Sequence, residues 1–208
     1  MKGRMSAKKK LAAVAAPELL KLDFGCGPNK RAGFHGVDAL PFDGKVDTVL
    51  NLVEEEPYYV SPRDKYKPMS QGYKKWPWKD GTVDEAHASH FLEHLTGVER
   101  VHFFNELYRV LRPGAQASII VPSWTSERAY GDPTHQWPPV VGFSFYYLNK
   151  GWRATNAPHC GYTCDFDFSG GNALAAPWES RPQEVQAFAQ THYLNVATDM
   201  FVTVTKRA

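Results

Sequence analysis

Long apolar runs, cysteine and an excess of either charge are scarce in this sequence. No apolar run approaches the roughly 20 residues that a membrane-spanning helix needs. The three cysteines, Cys26, Cys160 and Cys164, are too few to indicate a disulfide framework. The chain also contains no internal repeat. These absences predict an ordinary globular protein that has no membrane partner and lies in the reducing cytoplasm.

Charge is nearly balanced, with 24 Lys and Arg against 22 Asp and Glu. Five of the basic residues lie within the first ten, MKGRMSAKKK, so the rest of the chain has 19 basic against 22 acidic residues. We expect residues 1–16 to form a flexible basic tail and residues 17–208 to form one domain. The tail could contact nucleic acid, but no separate basic, aromatic recognition domain accompanies it. The apolar stretch LAAVAA is too short for a secretion signal.

Short apolar segments alternate with helical patterns along the chain. Strands are predicted at 19–24, 35–38, 46–52, 83–89, 117–121, 162–168 and 196–205. The T-x-x-E sequence at Thr96 predicts a capped helix that stops at Arg112-Pro113-Gly114. The S-x-x-Q sequence at Ser180 predicts another, and its apolar face is expected to contain Val185, Phe188, Ala189 and His192. The sequence of residues 53–79 predicts a surface insertion. The alternation indicates an α/β protein with a mostly parallel sheet.

A glycine turn follows the first predicted strand in the sequence LDFGCGPNK (22–30). Glycine permits positive φ and a close approach of the backbone to a ligand. A dinucleotide fingerprint would have a third glycine where this chain has Lys30, and an acidic residue about 20 positions later. Here Asp38 comes eleven residues after Gly27. This spacing favours a nucleoside without a pyrophosphate, with Asp38 accepting the ribose hydroxyls.

Four segments together resemble the class I S-adenosylmethionine-dependent methyltransferases of type 11. They are LDFGCGP (22–28), GVD (36–38), WPWKDGTVDEAHASHFLEHL (76–95) and NELYRVLRPGAQASIIVP (105–122). The resemblance implies a Rossmann-like, mostly parallel seven-stranded sheet with an antiparallel last strand and helices on both faces. It also implies S-adenosylmethionine as the cofactor.

The resemblance also assigns cofactor-binding residues. Asp23, Gly25 and Gly27, with Cys26 between the glycines, would hold the methionine end, and Asp38 the ribose. The remaining implied contacts come from the ends of the third and fourth strands: Asn51 and Leu52 beside the adenine, and Ser89 and His90 beside the sulfonium. Asn51 departs from the family pattern, which often has Asp there.

Residues 90–94, HFLEH, match the His-x-x-Glu-His signature of a zinc hydrolase class. That chemistry needs both histidines on one helical face, whereas His90 is expected at a strand end, before the helix that begins at Thr96. We therefore expect no metal at this motif. We also expect none at the group formed by His159, Cys160 and Cys164, which lacks a C-x-x-C pair.

Three histidines are instead candidates for a general base, because histidine titrates near neutrality. They are His135, in the polar DPTHQW loop, His90 and His94, and we favour His135. Aromatic residues are candidates for lining an acceptor pocket: Tyr58, Tyr59, Trp76, Trp78, Trp124, Tyr130 and Trp137. Tyr58 and Tyr59 lie outside the residues that the structure below describes.

The predicted function is methyl transfer to an unidentified acceptor. The Asn/Asp-Pro-Pro-aromatic tetrad of amino-methylating DNA enzymes is replaced by HFLE, which favours a small molecule over nucleic acid. A non-catalytic cofactor-binding module stays open as an alternative. A nicotinamide oxidoreductase is disfavoured by Lys30 and by the short spacing to Asp38. A zinc hydrolase is disfavoured by the expected position of His90 at a strand end.

Overall fold

A computed structural model describes residues 19–55 and 72–208 of the chain. The predicted basic tail, residues 1–16, and most of the predicted insertion at 53–79 lie outside the described residues. The division of the chain into a tail and one domain therefore stays a prediction.

Seven strands form one sheet: β1 (Lys21–Phe24), β2 (His35–Asp38), β3 (Thr48–Val49), β4 (Val83–Ser89), β5 (Leu111–Pro122), β6 (Phe166–Leu174) and β7 (Ala197–Lys206). Their order is β3-β2-β1-β4-β5-β7-β6. β7 pairs antiparallel with β5 and β6, while the pairings among β1 to β5 are parallel. This confirms the predicted Rossmann-like sheet with an antiparallel last strand.

The strand order reverses at β1, which pairs with β2 on one side and with β4 on the other. In open α/β sheets, ligands bind beyond the carboxyl ends of the strands at such a reversal. The residues that follow β1, β2 and β4 therefore define the expected site.

The three α-helices among the described residues are α1 (Gly97–Val110), α2 (Lys150–Asn156) and α3 (Gln183–His192). α1 begins with the predicted capping box: Thr96 Oγ1 accepts from the Glu99 N–H, and the Thr96 N–H donates to Glu99 Oε2 at 2.6 Å. No α-helix interrupts residues 25–34 or 39–47, which the structure describes in full. The glycine turn therefore leads from β1 to β2 through a loop.

The two faces of the sheet differ in character near the site. Alternate residues of a strand point to opposite faces, and Leu22 and Phe24 on β1 join the apolar core with Phe103 of α1. The Phe24 and Phe103 rings contact edge to face, with centroids 5.7 Å apart. On the opposite face, Asp23 and His87 are buried polar residues. α1 thus packs on one face of β1 and β4. The buried polar side chains of Asp23 and His87 lie on the other face.

Two sequence predictions are corrected by the structure. The sixth strand begins at Phe166 instead of Tyr162 and continues through Gly170, where an added Cβ would lie 2.3 Å from the Phe201 carbonyl oxygen. Pairing with β7 therefore sets this strand's position. Ser180 does not cap α3; its hydroxyl donates to the Pro177 carbonyl, and α3 begins after Pro182.

The predicted apolar face of α3 is also wrong. Ala189 is its one buried residue, whereas Phe188 is 54% exposed. β6, which precedes the helix, is the edge strand of the sheet. The helix therefore has little of the sheet to cover.

The described ends of the predicted insertion lie side by side. Glu55 and Tyr73 form an antiparallel bridge, and the Lys74 N–H donates to the Glu54 carbonyl at 2.9 Å. Trp76, which the sequence placed in a surface segment, is 3% exposed and packs against Phe24. This end of the segment belongs to the core.

Among the helices in the described part of the chain, each is too short or too polar to cross a membrane.

Candidate functional site

Gly25 and Gly27 form the glycine turn with left-handed backbone, at φ +63° and +51°. The Gly25 N–H donates to the Val37 carbonyl at 2.8 Å, which binds the turn to β2. A Cβ built on Gly25 would lie 2.3 Å from the Phe91 ring. Glycine is therefore required at this position by both backbone conformation and space.

Asp38 closes the turn from the end of β2. Its Oδ2 accepts from the Gly27 N–H at 2.9 Å, and its Oδ1 accepts from the Leu40 N–H at 3.1 Å. Each carboxylate oxygen has more than one acceptor position, so both can still accept from a ligand. The turn and Asp38 form one unit, as the spacing of eleven residues predicts.

Asp23 lies behind this unit, 3% exposed on the polar face of β1. Its Oδ2 accepts from the Arg31 N–H at 2.7 Å. Burial raises the pKa of Asp23 despite this bond and the nearby charges of His87 and Arg31. The carboxylate therefore anchors the loop that carries the glycine turn.

Cys26 is buried between the two glycines. Burial is the main cause that raises the pKa of its thiol, to about 11, and Asp23 and Asp38 add to it. The thiol is therefore neutral and unreactive near neutral pH.

Asn51 and Leu52 follow β3 and differ in exposure. Asn51 is exposed, and its Oδ1 accepts from the Val53 N–H at 3.1 Å. Leu52 is buried, and its carbonyl accepts from the Trp76 indole N–H at 2.9 Å. Trp76 thus supports this part of the site from the core, a role that the sequence did not suggest.

Ser89 and His90 stand at the carboxyl end of β4. His90 has positive φ (+52°), and its N–H donates to the Ile120 carbonyl at 2.8 Å. Its Nδ1 lies 3.3 Å from Glu93 Oε1 and its Nε2 3.7 Å from Asp199 Oδ1. The hydrogen bond with Glu93 is the main cause that raises the pKa of His90, against the effect of burial.

The other two histidines that were predicted as bases, His94 and His135, lie beside Glu93, the partner of His90. The His94 and His135 rings lie 4.8 Å apart, and one ligating atom each of Glu93, His94 and His135 lies within 4.8 Å of the other two. We call His90, Glu93, His94 and His135 the histidine cluster. The structure thus brings together all three histidines that the sequence proposed as bases, with Glu93 between them.

Sequence reasoning missed Glu93 and Asp199 as site residues. The i, i+3 spacing of His90 and Glu93 was a usable signal, because residues at this spacing meet on a helical turn, and Leu92–His94 forms a 3₁₀ turn. No signal pointed to Asp199 in β7, which reaches His90 through the folding of the sheet.

The HFLEH motif lies on a strand end and a 3₁₀ turn and not on an α-helix. This agrees with the position predicted from the sequence. Among the described residues, His159 and Cys160 join no group of ligating atoms. Cys164 is buried, and burial raises the pKa of its thiol to about 12. Of this group, Cys164 is thus packed in the core, while His159 is exposed and Cys160 is half-buried.

A cavity of about 120 Å³ lies next to the histidine cluster. Its lining residues include three members of the predicted aromatic and histidine set: Tyr130, His135 and Trp137. Trp137 is 78% exposed. A larger cavity of about 550 Å³ lies where β1 and β2 begin, at the opposite edge of the sheet from the glycine turn.

Residues 22–119 match the family profile of a methyltransferase domain. The chain is similar to the structure of a SAM-dependent methyltransferase from Archaeoglobus fulgidus, with 17% identity, 90% of this chain and 86% of that chain covered, and a TM-score of 0.55. It is also similar to a candidate sarcosine dimethylglycine methyltransferase from Galdieria sulphuraria, with 12% identity, 91% and 78% covered, and a TM-score of 0.51. At identities this low, the structural similarity establishes the fold alone. No curated protein sequence matches the chain.

Proposed function

We propose that this chain, whose residues 22–119 match the profile of a methyltransferase domain, transfers a methyl group from S-adenosylmethionine to a small-molecule acceptor. The observation that carries the proposal is the glycine turn closed by Asp38 beside the end of β4. The two glycines, the carboxylate of Asp38 and a cluster of titratable groups then lie at the topological switch point of one sheet.

The proposed cofactor contacts are those that the family resemblance implies. Gly25 and Gly27 let the backbone approach the methionine end, and Asp38 accepts from the ribose hydroxyls. Asn51 and Leu52 flank the adenine. Asp23 and Cys26 support the turn from behind, since the first is bound to the Arg31 N–H and the second is a buried thiol.

Methyl transfer from a sulfonium is an in-line displacement: the acceptor atom forms a bond to the methyl carbon while the carbon–sulfur bond breaks. The cofactor is already activated, so the protein mainly aligns the two reactants and excludes water. An acceptor O–H or N–H also has to lose its proton. Ser89 and His90, at the end of β4, are placed beside the sulfonium in this proposal.

The histidine cluster supplies the candidate bases. His90 comes directly after β4, and His94 and His135 lie within reach of its partner Glu93. His135 also lines the cavity of about 120 Å³, which supports the sequence preference for it as the residue that faces the acceptor.

The test is the destination of the methyl group. Purified protein is incubated with S-adenosylmethionine labelled in the methyl group and with a cell extract separated into a low-molecular-weight filtrate and a macromolecular fraction. We expect label in the filtrate. Label that nuclease releases from the macromolecular fraction would contradict the small-molecule acceptor, and cofactor binding without transfer to either fraction would favour the non-catalytic alternative.

The role of His135 is tested in the same assay. We expect His135→Ala to reduce transfer with little change in the affinity for S-adenosylhomocysteine. His192→Ala, at an exposed histidine of α3, is the control and should leave both unchanged. Full transfer by His135→Ala would remove His135 from the mechanism.

A further inference from the structure

Glu93, His94 and His135 bring three potential metal ligands to one point, within 4.8 Å of one another. They come from different parts of the chain: two from the 3₁₀ turn after β4, and one from the loop after β5. The proposed function requires a base in this region but does not explain why a buried carboxylate and two imidazoles should converge.

Glu93 is buried, with its side chain 7% exposed, and only one of its oxygens is paired. Oε1 contacts His90 Nδ1 at 3.3 Å. Oε2 is buried and has no hydrogen-bond partner among the described residues. A buried carboxylate oxygen without a partner is costly, because the charge has lost its hydration. A cation at Oε2 would remove this cost.

The hydrogen bonds of the two histidines leave a matching lone pair on each ring. His135 Nδ1 lies 3.1 Å from the Ala129 carbonyl, so Nδ1 must be the donor. His94 Nδ1 lies 3.0 Å from Thr134 Oγ1, whose single proton is donated to Asp132 Oδ1 at 2.7 Å. His94 Nδ1 must therefore also donate, which leaves Nε2 of both rings with a lone pair.

Metal-binding histidines typically show this arrangement, in which the distal N–H donates to a carbonyl or a carboxylate-linked group and fixes the tautomer. We propose that Glu93 Oε2, His94 Nε2 and His135 Nε2 bind a divalent transition-metal ion, with Zn²⁺ as the reference ion. Two imidazoles and one carboxylate are a ligand set for zinc or ferrous iron that keeps open positions.

Bonds of about 2.0–2.1 Å to a tetrahedral ion place the ligand atoms about 3.3 Å apart. One ligating atom of each residue lies within 4.8 Å of the other two, so the side chains have to rotate towards one another when the ion binds. Asp132 Oδ2, 3.9 Å from His135 Nε2, adds a second negative charge beside the ion.

Arg100 fixes the two parts of the site relative to each other. It is 8% exposed and donates to the Leu92 carbonyl at 3.1 Å, to the Pro138 carbonyl at 2.6 Å and to the Gln136 carbonyl at 3.3 Å. The Gln136 N–H in turn donates to the Glu93 carbonyl at 2.8 Å. The loop that carries His135 is thus attached to the turn that carries Glu93 before any ion binds.

This site differs from the zinc hydrolase that HFLEH first suggested. Glu93 is a ligand instead of a base, and His90 lies outside the ligand set. An ion bound here would take His135 Nε2 as a ligand, so His135 could not then be the base preferred above, and His90 would be the histidine of the cluster that is left for proton transfer.

Metal binding is tested on full-length protein without an affinity tag, treated with EDTA and then freed of chelator. We expect one Zn²⁺ per chain by calorimetry and elemental analysis, and visible absorption bands when Co²⁺ is added. Glu93→Gln and His94→Asn should each weaken binding at least tenfold. Thr134→Val, which removes the acceptor for the His94 N–H, should weaken it by about tenfold.

His159→Asn is the matched control, because it alters an exposed histidine next to Cys160 and should leave zinc affinity unchanged. Absence of zinc binding, or binding that is lost in His159→Asn and retained in both Glu93→Gln and His94→Asn, would overturn the proposal. Titration of the EDTA-treated protein with S-adenosylhomocysteine reports separately on the cofactor site, so each proposal can fail without the other.

Discussion

Gly27 and Asp38 are joined across eleven residues by a hydrogen bond of 2.9 Å from the Gly27 N–H to Asp38 Oδ2. The bond places the carboxylate at the end of β2 against the turn that follows β1. Any ligand that meets the turn therefore also meets Asp38.

Gly25→Ala should weaken both stability and cofactor binding. The new Cβ would lie 2.3 Å from the Phe91 ring, on a backbone with φ +63°. Left-handed backbone alone costs a non-glycine residue roughly 1–2 kcal/mol, and relief of the contact would displace the turn. Chemical denaturation and calorimetry with S-adenosylhomocysteine measure the two effects.

Gly97→Ala is the control for that substitution. A Cβ at Gly97 would meet nothing within 4 Å, so its unfolding free energy and ligand affinity should stay close to those of the original protein. If Gly25→Ala and Gly97→Ala had the same unfolding free energy and ligand affinity, the turn would tolerate a side chain, which would contradict the requirement for glycine at position 25.

Glu106→Gln should destabilise the fold strongly. Glu106 is 7% exposed and accepts from the Trp76 N–H at 2.7 Å and from Arg109 Nη2 at 2.6 Å. The substitution removes the buried carboxylate from Arg109 and leaves it only the exposed Asp80, and we expect a loss of about 3 kcal/mol in urea denaturation.

Asp80→Asn is the comparison, since it removes the other carboxylate of Arg109 at a position 81% exposed on its side chain. Its denaturation midpoint should change little. If Asp80→Asn proved as costly as Glu106→Gln, burial would not be what makes the Glu106 pair important.

His102 should make the protein less stable in mild acid. It is 3% exposed and stacked on Tyr73, and burial lowers its pKa below the usual 6.5 despite the nearby Glu106. The folded state therefore stays neutral below pH 6.5 while the unfolded state takes up a proton. Stability should fall as pH decreases from 6.5, by up to about 1.4 kcal/mol per pH unit for one proton.

The measurement for His102 is the free energy of unfolding between pH 7 and pH 5 in the original protein and in His102→Phe. The variant should show a shallower dependence on pH. Some dependence should persist, because burial also lowers the pKa of His87. If the unfolding free energy depended equally on pH in the two proteins, His102 would not contribute to the loss of stability in acid.

Local signals in the sequence predicted much of the fold. The bounds of β2 and β4 and the capping box at Thr96 agree with the structure, since each depends on a short apolar run or on residues three apart. The hydrogen bond between Gly27 and Asp38 spans a short loop, and ribose binding by Asp38 stays a prediction.

Features that depend on distant parts of the chain were not predictable in this way. The start of β6 is set by its pairing with β7, and α3 lacks its expected cap and buried face because it follows an edge strand. His94 and His135 meet only after the loop after β5 has folded back on the turn after β4. Their separation of some 40 residues carried no local pattern.

The proposed function depends on the glycine turn and Asp38 binding the adenosyl group of the methyl donor. Calorimetric titration with S-adenosylhomocysteine, of the original protein, of Asp38→Asn and of the control Asp43→Asn at an exposed aspartate five residues later, tests it most directly. We expect one site per chain in the original protein and in Asp43→Asn, and at least tenfold weaker binding in Asp38→Asn. No binding by the original protein, or equal affinity in all three, would contradict the claim.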